Sequence, residues 1–285
     1  MSIIDVYLII IFKLLKTNLF FMVKVTVIMG IYNCASTLGE ALDSLYAQTY
    51  QDFMIILCED GSSDNTYEIA QEYAAAHNNI VLLRNDRNMG LNYTLNRCLE
   101  HVDTEYVARM DGDDISLPTR FEKEIKFLDE HPEYAFVSCP MIYFDETGDF
   151  RVGRATPEPQ KEGFLYGRTF CHAPVMIRRE AYKAVDGYTV SKYLLRIEDQ
   201  HLWLKLYLKG YRGYNLSEPL YKMRDDRNAS KRRTFLNRRN EAYFKLLVCK
   251  EFKLPWWHYP ESVFIPLAKW MMPRFLYDRF HRANK

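Results

Sequence analysis

The chain has 285 residues, of which 48% are hydrophobic and 26% charged, and its formal net charge is +1. This near-neutral balance excludes a protein that binds nucleic acid through bulk electrostatics, and the length fits one large globular domain with an appendage. The six cysteines lack paired metal spacing, which fits a reduced, cytoplasmic setting; they are Cys34, Cys58, Cys98, Cys139, Cys171 and Cys249.

An apolar run over residues 6–21 is interrupted by Lys13 and Lys16. It is shorter than the about 20 apolar residues of a membrane-spanning helix, and no small-residue cleavage site follows it. An anchor in the membrane interface remains one interpretation of this segment.

From residue 25 onward, strand-like and helix-like segments alternate, joined by short polar connections. The predicted strands cover 25–28, 53–58, 80–83 and 106–109, and the predicted helices cover 35–48, 66–76 and 91–100. Ser36 or Thr37 together with Glu40 marks the start of the first helix as a capping box. This alternation is typical of a mainly parallel sheet with helices on its faces, so we predict an α/β fold.

Polar loops follow three of the predicted strands. They cover residues 30–33, 59–64 and 111–114. In an open α/β sheet, ligands bind outside the carboxyl ends of the strands. We therefore expect the active site where these loops converge.

The loop Asp111-Gly112-Asp113-Asp114 places three carboxylates around one glycine. Like charges at this spacing repel each other, and a divalent cation among the oxygens relieves the repulsion. Ordinary turn chemistry fits as well, with Asp114 or Ser116 capping a helix that starts near Pro118. The sequence has neither a dinucleotide-binding nor a P-loop glycine pattern, so phosphate binding would depend on a metal and side chains.

Six ordered motifs make residues 23–223 resemble bacterial family 2 glycosyltransferases of the GT-A fold. The motifs cover 25–33, 44–49, 59–64, 88–96, 111–114 with Pro118 and Arg120, and 198–203. Two positions depart from the family, which more often has Pro at Gly30 and Asp at Glu59. The resemblance implies a GT-A type, Rossmann-like, mainly parallel sheet flanked by helices, with a helical C-terminal appendage.

The resemblance also implies roles for residues on the donor side. Asp60 matches the position that hydrogen-bonds uracil, Tyr32 and Asn33 lie where the nucleotide is flanked, and Asp111 lies near the ribose and the metal. Asp113 would be the principal ligand of Mn²⁺ or Mg²⁺. For Asp60 a structural alternative remains, a carboxylate stabilised by a helix N-terminus.

For the acceptor, the resemblance implies that Asp199 is the base and that Glu198 orients or shapes the acceptor site. In-line attack then inverts the anomeric centre, and an α-linked donor gives a β-linked product. The alternative is that both acids complement the dipole of the helix they begin. The segment 171–179 resembles the acceptor side, where His172 and Trp203 are candidate contacts; a lone histidine is also often structural.

The segment from Tyr221 to Arg233 is predicted as a basic loop. Arg224 and Arg227 are candidates to pair with the donor diphosphate. A solvated basic loop explains them equally well.

The resemblance and composition together divide the chain into three parts. Residues 1–21 are an extension, with Met22 as the native start because family members usually begin there; 22–234 form the catalytic domain; and 235–285 form a helical tail rich in aromatics and cations. This composition suits a membrane interface. Alternatively, the aromatics pack on the catalytic domain or on a homodimer partner.

Together these features predict an inverting, metal-dependent glycosyltransferase that uses a UDP-sugar at the inner face of the cell membrane. The predicted acceptor is a saccharide linked to undecaprenyl diphosphate, in O-antigen or capsule synthesis, and no nucleic acid is a partner. Two alternatives stay open: a nucleotidyltransferase of similar fold, and a non-catalytic, membrane-bound saccharide-binding module.

Overall fold

The computed structural model of the protein describes residues 23–225 and 234–272. The predictions for residues 1–21, for Met22 as the start, for Arg227 and for the last part of the basic tail lie outside the described residues.

The described residues form a mixed α/β structure. Its strands are β1 (Val25–Ile31), β2 (Phe53–Glu59), β3 (Ile80–Arg84), β4 (Tyr106–Arg109), β5 (Ile115–Ser116), β6 (Phe136–Ser138), β7 (Met141–Asp145), β8 (Gly148–Val152), β9 (Met176–Arg178), β10 (Gly213–Asn215) and β11 (Tyr221–Arg224). Its α-helices are α1 (Leu38–Tyr46), α2 (Thr66–Ala76), α3 (Leu91–Leu99), α4 (Arg120–Glu130), α5 (Arg179–Ala184), α6 (Glu198–Leu208), α7 (Phe235–Glu251) and α8 (His258–Met271), and a 3₁₀ helix spans Lys161–Tyr166.

The central sheet has seven strands in the order β10-β6-β9-β4-β1-β2-β3. Strand β1 pairs in parallel with β2 and with β4, whereas β9 is antiparallel to β4 and β6. The chain places β2 and β3 on one side of β1 and then returns to place β4 on the other side. This reversal opens a crevice at the carboxyl ends of β1 and β4, which is where α/β sheets bind ligands.

Every helix and strand predicted in the first half of the chain is present, although some bounds and caps differ. Helix α2 and strand β4 have their predicted bounds, and α1 is shorter than predicted at both ends. The predicted capping box does not form, since the N-terminus of α1 at Thr37 has no side-chain cap hydrogen bond; the Thr37 hydroxyl donates to the carbonyl oxygens of Cys34 and Gly112. Helix α4 begins at Arg120 without a side-chain cap, so the capping role considered for Asp114 and Ser116 is wrong.

A second sheet has four strands in the order β5-β11-β7-β8. The predicted loop character of its strand β11 is wrong, since Tyr221 pairs with Ser116 on one side and with Met141 on the other. Apolar and polar residues alternate along Tyr-Lys-Met-Arg, which is the period of a strand. Lys222 and Arg224 made this segment look like part of the basic stretch that follows it, so the strand was not recognised from the sequence.

Trp203 lies in the core and not in the acceptor wall, which corrects its predicted role. Its side chain is fully buried, its ring stacks on Phe136 with centroids 5.0 Å apart, and Phe170 meets it edge-on at 5.7 Å. Helix α7 adds Phe244 and Val248 to the same cluster of buried residues. Helix α7 therefore packs against the sheet domain, whereas Trp256, Trp257 and Phe264 in the following part of the appendage are largely exposed. Whether those aromatics meet a membrane or a partner stays a prediction, as do the domain boundaries.

We predict that Trp203→Ala lowers the free energy of unfolding by about 3–5 kcal/mol, because it removes a large buried ring and leaves a cavity. Trp203→Phe keeps part of the stacking and loses less. Urea unfolding measures both. Trp257→Ala is the matched control, since Trp257 is 57% exposed and its loss changes stability by no more than about 0.5 kcal/mol. Equal effects at the two positions would contradict the burial argument.

Candidate active site

A cleft of about 1080 Å³ lies at the carboxyl ends of the central strands. Three groups of charged residues line it: Asp111, Asp113 and Asp114 after β4; Glu198 and Asp199 at the start of α6; and Arg238, Glu241, Lys245 and Lys269 on α7 and α8. Arg109, Arg168, Arg196 and Arg224 line it as well. The structure thus brings the predicted metal ligands and the predicted base into one cleft. A neighbouring cavity of about 640 Å³, lined by Tyr32, Asp60 and Met89, shares wall residues with it.

The acidic loop after β4 is held by hydrogen bonds from distant elements. The Thr37 hydroxyl donates to the carbonyl oxygen of Gly112 at 2.9 Å. The backbone N–H of Arg224 donates to Asp114 Oδ1 at 2.8 Å, and its Nε donates to the carbonyl oxygen of Asp113 at 3.0 Å. A Cβ on Gly112 would lie 2.8 Å from Cys34 Sγ, so the close approach of the two loops requires glycine here.

The three carboxylates of this loop fit a hard divalent cation. One oxygen from each of Asp111, Asp113 and Asp114 lies within 4.8 Å of the others. Burial, and then the negative charge of Asp111, raise the pKa of Asp113 and Asp114 above its ordinary range. Asp114 Oδ2 is buried without a hydrogen-bond partner in the described part of the chain. Oxygen ligands, excess negative charge and an unsatisfied oxygen are what Mn²⁺ or Mg²⁺ requires.

Arg109, which sequence reasoning did not single out, lies beneath this loop. Its guanidinium is 5% exposed and donates to Asp111. Burial is the largest single effect and opposes its charge, but Asp111, Tyr221, Tyr188 and Asp114 together outweigh it and raise the pKa of Arg109. The sequence offers one indication of this role: Arg109 is a charged residue in a strand whose other residues are predicted to be buried.

A second buried arginine, Arg120, contacts the end of β4. Arg120 and Glu124 are both fully buried and form an ion pair one helical turn apart on α4. Arg120 also donates to the carbonyl oxygen of Arg109 at 2.9 Å. Loss of one partner would leave the other charge buried and unpaired, and the hydrogen bond from Arg120 to Arg109 is what joins α4 to β4.

Asn33 joins the loops after β1 and β2. Its side-chain oxygen accepts from the N–H of Ser63 at 2.9 Å, and its own N–H donates to Ser62 Oγ at 3.0 Å. Gly61 has φ +70°, and a Cβ there would lie 2.6 Å from the backbone of Arg87. Tyr32 is 46% exposed and faces the smaller cavity. The interlocked loops therefore present Tyr32, while the oxygen of Asn33 is used within the protein.

Asp60 lies at the base of the smaller cavity, where it is 3% exposed. Its carboxylate accepts from Asn85 Nδ2 at 2.6 Å and from the N–H groups of Met89 and Gly90, both at 2.9 Å. Gly90 immediately precedes α3, so the carboxylate meets the N-terminus of that helix, which favours a negative charge. This supports the structural alternative for Asp60, although the side chain also lines the cavity.

Glu198 and Asp199 form the first turn of α6, as predicted, and both face the cleft. Burial, and then the adjacent charge of Glu198, raise the pKa of Asp199 to about 6. The carboxyl is thus poised to exchange a proton near neutral pH, which is what a general base requires.

The remaining predicted residues differ in their freedom to contact a ligand. His172 Nε2 lies 2.7 Å from the hydroxyl of Tyr188, and burial, then Arg109, hold its pKa well below the ordinary range. His172 lines the cleft as a neutral, hydrogen-bonded group. Arg224 also lines it, but its guanidinium donates to Glu40 and lies 4.5 Å above the ring of Phe144.

Comparison with known proteins shows which family the sequence matches. The sequence profile of Glycosyl transferase family 2 matches residues 26–186. A Bacillus subtilis (strain 168) protein named as the glycosyltransferase EpsE is 42% identical over 265 residues, which are 92% of this chain and 94% of its own. An Escherichia coli UDP-Gal:α-D-GlcNAc-diphosphoundecaprenol β-1,3-galactosyltransferase is 30% identical over 216 residues, which are 74% of this chain and 77% of its own.

Solved structures show the same fold at lower sequence identity. S. aureus TarS 1–349 in complex with UDP-GlcNAc has a TM-score of 0.66 and 20% identity, with 84% of this chain and 70% of that chain covered. The mannosyltransferase PcManGT of Pyrobaculum calidifontis, in complex with GDP-Man and Mn²⁺, has a TM-score of 0.61 and 21% identity, with 86% and 74% covered. These likenesses confirm the predicted GT-A type fold.

We predict that the carboxyl of Asp199 titrates near pH 6, about two units above a free aspartate. Glu198→Gln removes the neighbouring negative charge, so it should lower that midpoint. Carboxyl ¹³C NMR of protein labelled at aspartate measures both values, and the resonance is assigned by its loss in Asp199→Asn. A wild-type midpoint near the ordinary value, or no response to Glu198→Gln, would contradict the burial and charge argument.

Proposed function

The chain belongs to glycosyltransferase family 2, and on that premise we propose that it is an inverting, metal-dependent enzyme that transfers a hexose from a UDP-sugar to a lipid-linked saccharide. One observation carries the proposal: the carboxylate cluster after β4 and the raised-pKa carboxyl of Asp199 line the same cleft. Membership of this family leaves the nucleotidyltransferase alternative without support.

The smaller cavity is the proposed site of the nucleotide. Tyr32 offers an exposed ring that can stack on a base, and Met89 and Leu91 add apolar wall. Asp60 offers only hydrogen-bond acceptors, which suits a ring N–H such as that of uracil. The galactosyltransferase relative is named for UDP-Gal, and the TarS structure holds UDP-GlcNAc.

The donor diphosphate then lies at the mouth of this cavity, beside the acidic loop. Asp111 and Asp113 would hold a divalent cation, with Asp114 adjacent. Such a cation neutralises the charge that develops on the departing diphosphate. Mn²⁺ accompanies GDP-Man in the Pyrobaculum calidifontis neighbour.

Asp199 is the proposed base on the opposite side of the sugar. It takes the proton of the acceptor hydroxyl while the new C–O bond forms and the bond to the diphosphate breaks, which inverts the anomeric carbon. Glu198 orients the acceptor, and burial together with the charge of Glu198 keeps the pKa of Asp199 near 6. Because the base acts in its ionised form, kcat/KM should fall as the pH drops below about 6.

Two variants separate binding from chemistry. Asp199→Asn preserves shape and donor binding but removes the base, so transfer should fall by about 10²-fold or more while affinity for the UDP-sugar survives. Asp113→Asn removes a metal ligand, so it should weaken Mn²⁺-dependent binding of the UDP-sugar itself. Calorimetric titration with a panel of UDP-sugars, with Mn²⁺ or with EDTA, and radiolabelled transfer to a saccharide acceptor measure the two effects. Near-normal transfer by Asp199→Asn would show that Asp199 stabilises the helix start and is not the base. Donor binding that is equally tight with Mn²⁺ and with EDTA would contradict the proposed metal site.

Helix α8 and the turn before it carry the proposed membrane contact. Large apolar side chains are exposed there at helical spacing: Trp256, Trp257, Val263, Phe264, Leu267, Trp270 and Met271. Trp256 is 76% exposed and Phe264 66%, and aromatic side chains favour the headgroup layer. None of the helices in the described ranges is long and apolar enough to cross a bilayer. Contact would place the protein peripherally at the inner face of the membrane, beside a lipid-linked acceptor.

We predict that the double variant Trp256→Ser, Phe264→Ser loses most of its binding to vesicles that contain anionic phospholipid. The variant lacks two aromatic rings that would otherwise be buried in the membrane interface. Flotation of the purified protein with vesicles measures binding. The matched control is Val152→Ser, Leu208→Ser, which changes two exposed apolar residues on other elements. Equal flotation of both variants and the wild type would remove α8 as the contact.

A further inference from the structure

Three cations of α7 and α8 converge on one carboxylate at the edge of the cleft. Lys245 Nζ lies 3.1 Å and Lys269 Nζ 3.2 Å from Glu241 Oε1, while Arg238 donates to Glu241 Oε2. All four side chains line the cleft. We call these four residues the α7–α8 cation cluster.

This cluster carries more positive than negative charge. Its three cations and one carboxylate sum to a charge of about +2, with each residue in its ordinary ionised form. The other acid that acts on Lys245 in the described part of the chain is Glu261, which is itself held by His258 and the hydroxyl of Tyr166. Arg238, Lys245 and Lys269 therefore share the single carboxylate of Glu241, and Glu261 is already bonded to His258 and Tyr166.

The cluster is also poorly solvated. The side chain of Lys245 is 9% exposed and that of Arg238 is 19% exposed. Burial, opposed by Glu241, lowers the pKa of Lys245. Arg238 Nε is buried without a hydrogen-bond partner within residues 23–225 and 234–272. Concentrated positive charge with an unused donor is suited to an anion, and an arginine with two lysines is a phosphate-binding set.

The position of the cluster identifies which anion it meets. Lys269 and Ile265 face the cleft from α8, whereas Phe264 and Met271 on the same helix are exposed. Asp199 and the acidic loop line the same cleft. An acceptor whose lipid lies in a bilayer at α8 and whose sugar reaches Asp199 would therefore have its linking phosphate beside α7 and α8.

We propose that the α7–α8 cation cluster binds the phosphate or diphosphate group that joins the acceptor sugar to its lipid. This inference rests on the proposed function, because it names the chemistry that recognises the acceptor. The donor diphosphate would have its own partner in the acidic loop and the divalent cation proposed there, so the cluster would be a second phosphate site. The relative named for α-D-GlcNAc-diphosphoundecaprenol takes an acceptor of this chemical class.

The test compares two water-soluble acceptor probes in EDTA, so that no metal holds a diphosphate at the donor site. One is N-acetylglucosamine 1-diphosphate with a short phenoxyalkyl chain, and the other is the neutral phenoxyalkyl glycoside of the same sugar. We expect the wild type to bind the charged probe at least about tenfold more tightly. Arg238→Gln and Lys269→Gln should each remove most of that preference and leave the affinity for the neutral probe unchanged.

Lys250→Gln is the matched control, because it removes the same charge from α7 at a side chain that is 77% exposed. It should keep the full preference for the charged probe. Lys269 is 42% exposed, so its variant should fold even if changes deeper in the cluster do not. An equal affinity of the wild type for both probes, or a full preference in Lys269→Gln, would overturn the proposal.

Glu241→Gln distinguishes an anion site from a structural ion-pair cluster. If the cluster binds phosphate, loss of the carboxylate raises its positive charge and strengthens binding of the charged probe. If Glu241 only ties α8 to α7, the variant lowers the melting temperature and binds the charged probe no better, which counts against the proposal. These measurements need no transfer reaction. Loss of transfer with every UDP-sugar would refute the proposed function, whereas loss of the probe preference would refute the cluster alone.

Discussion

The site depends on one buried cation that stands among carboxylates. Arg109 ends β4 with its guanidinium on Asp111 and its carbonyl oxygen on Arg120, and its charge reaches Asp113 and Asp199 as well. A single positive charge at that place allows several acids to share a small volume without forcing the loop apart. It does not neutralise them all, and the remaining negative charge is what makes the loop a good ligand set for a divalent cation.

Much of the fold was predictable because its signals are local. The apolar strands, the helix Thr66–Ala76 and the acidic loop after β4 all follow from patterns that span a dozen residues or fewer. The grouping of the acidic loop with Asp199 followed from the resemblance, and the structure places both in one cleft. Their catalytic roles remain predictions, as do those of Tyr32 and Asp60.

The features that sequence reasoning missed depend on contacts between distant residues. Trp203 is buried because Phe136 and Phe170 cover it, and nothing in its own helix distinguishes a ring that faces the core from one that faces a ligand. Strand β11 exists because Ser116 and Met141 flank Tyr221. Arg238 and Lys245 pair with Glu241 at the ordinary i,i+3 and i,i+4 spacing of one helix, but Lys269 joins them only because α8 packs against α7.

Helix α8 lines the cleft with Lys269 and exposes Phe264 to the outside. An α-helix with its side chains is only about 10 Å across. With the outer face on a bilayer, the reacting hydroxyl would sit within a few sugar widths of the lipid surface. On the proposed membrane contact, this distance would favour short glycans whose reacting hydroxyl stays close to the carrier, because the growing end of a long chain lies far from the membrane.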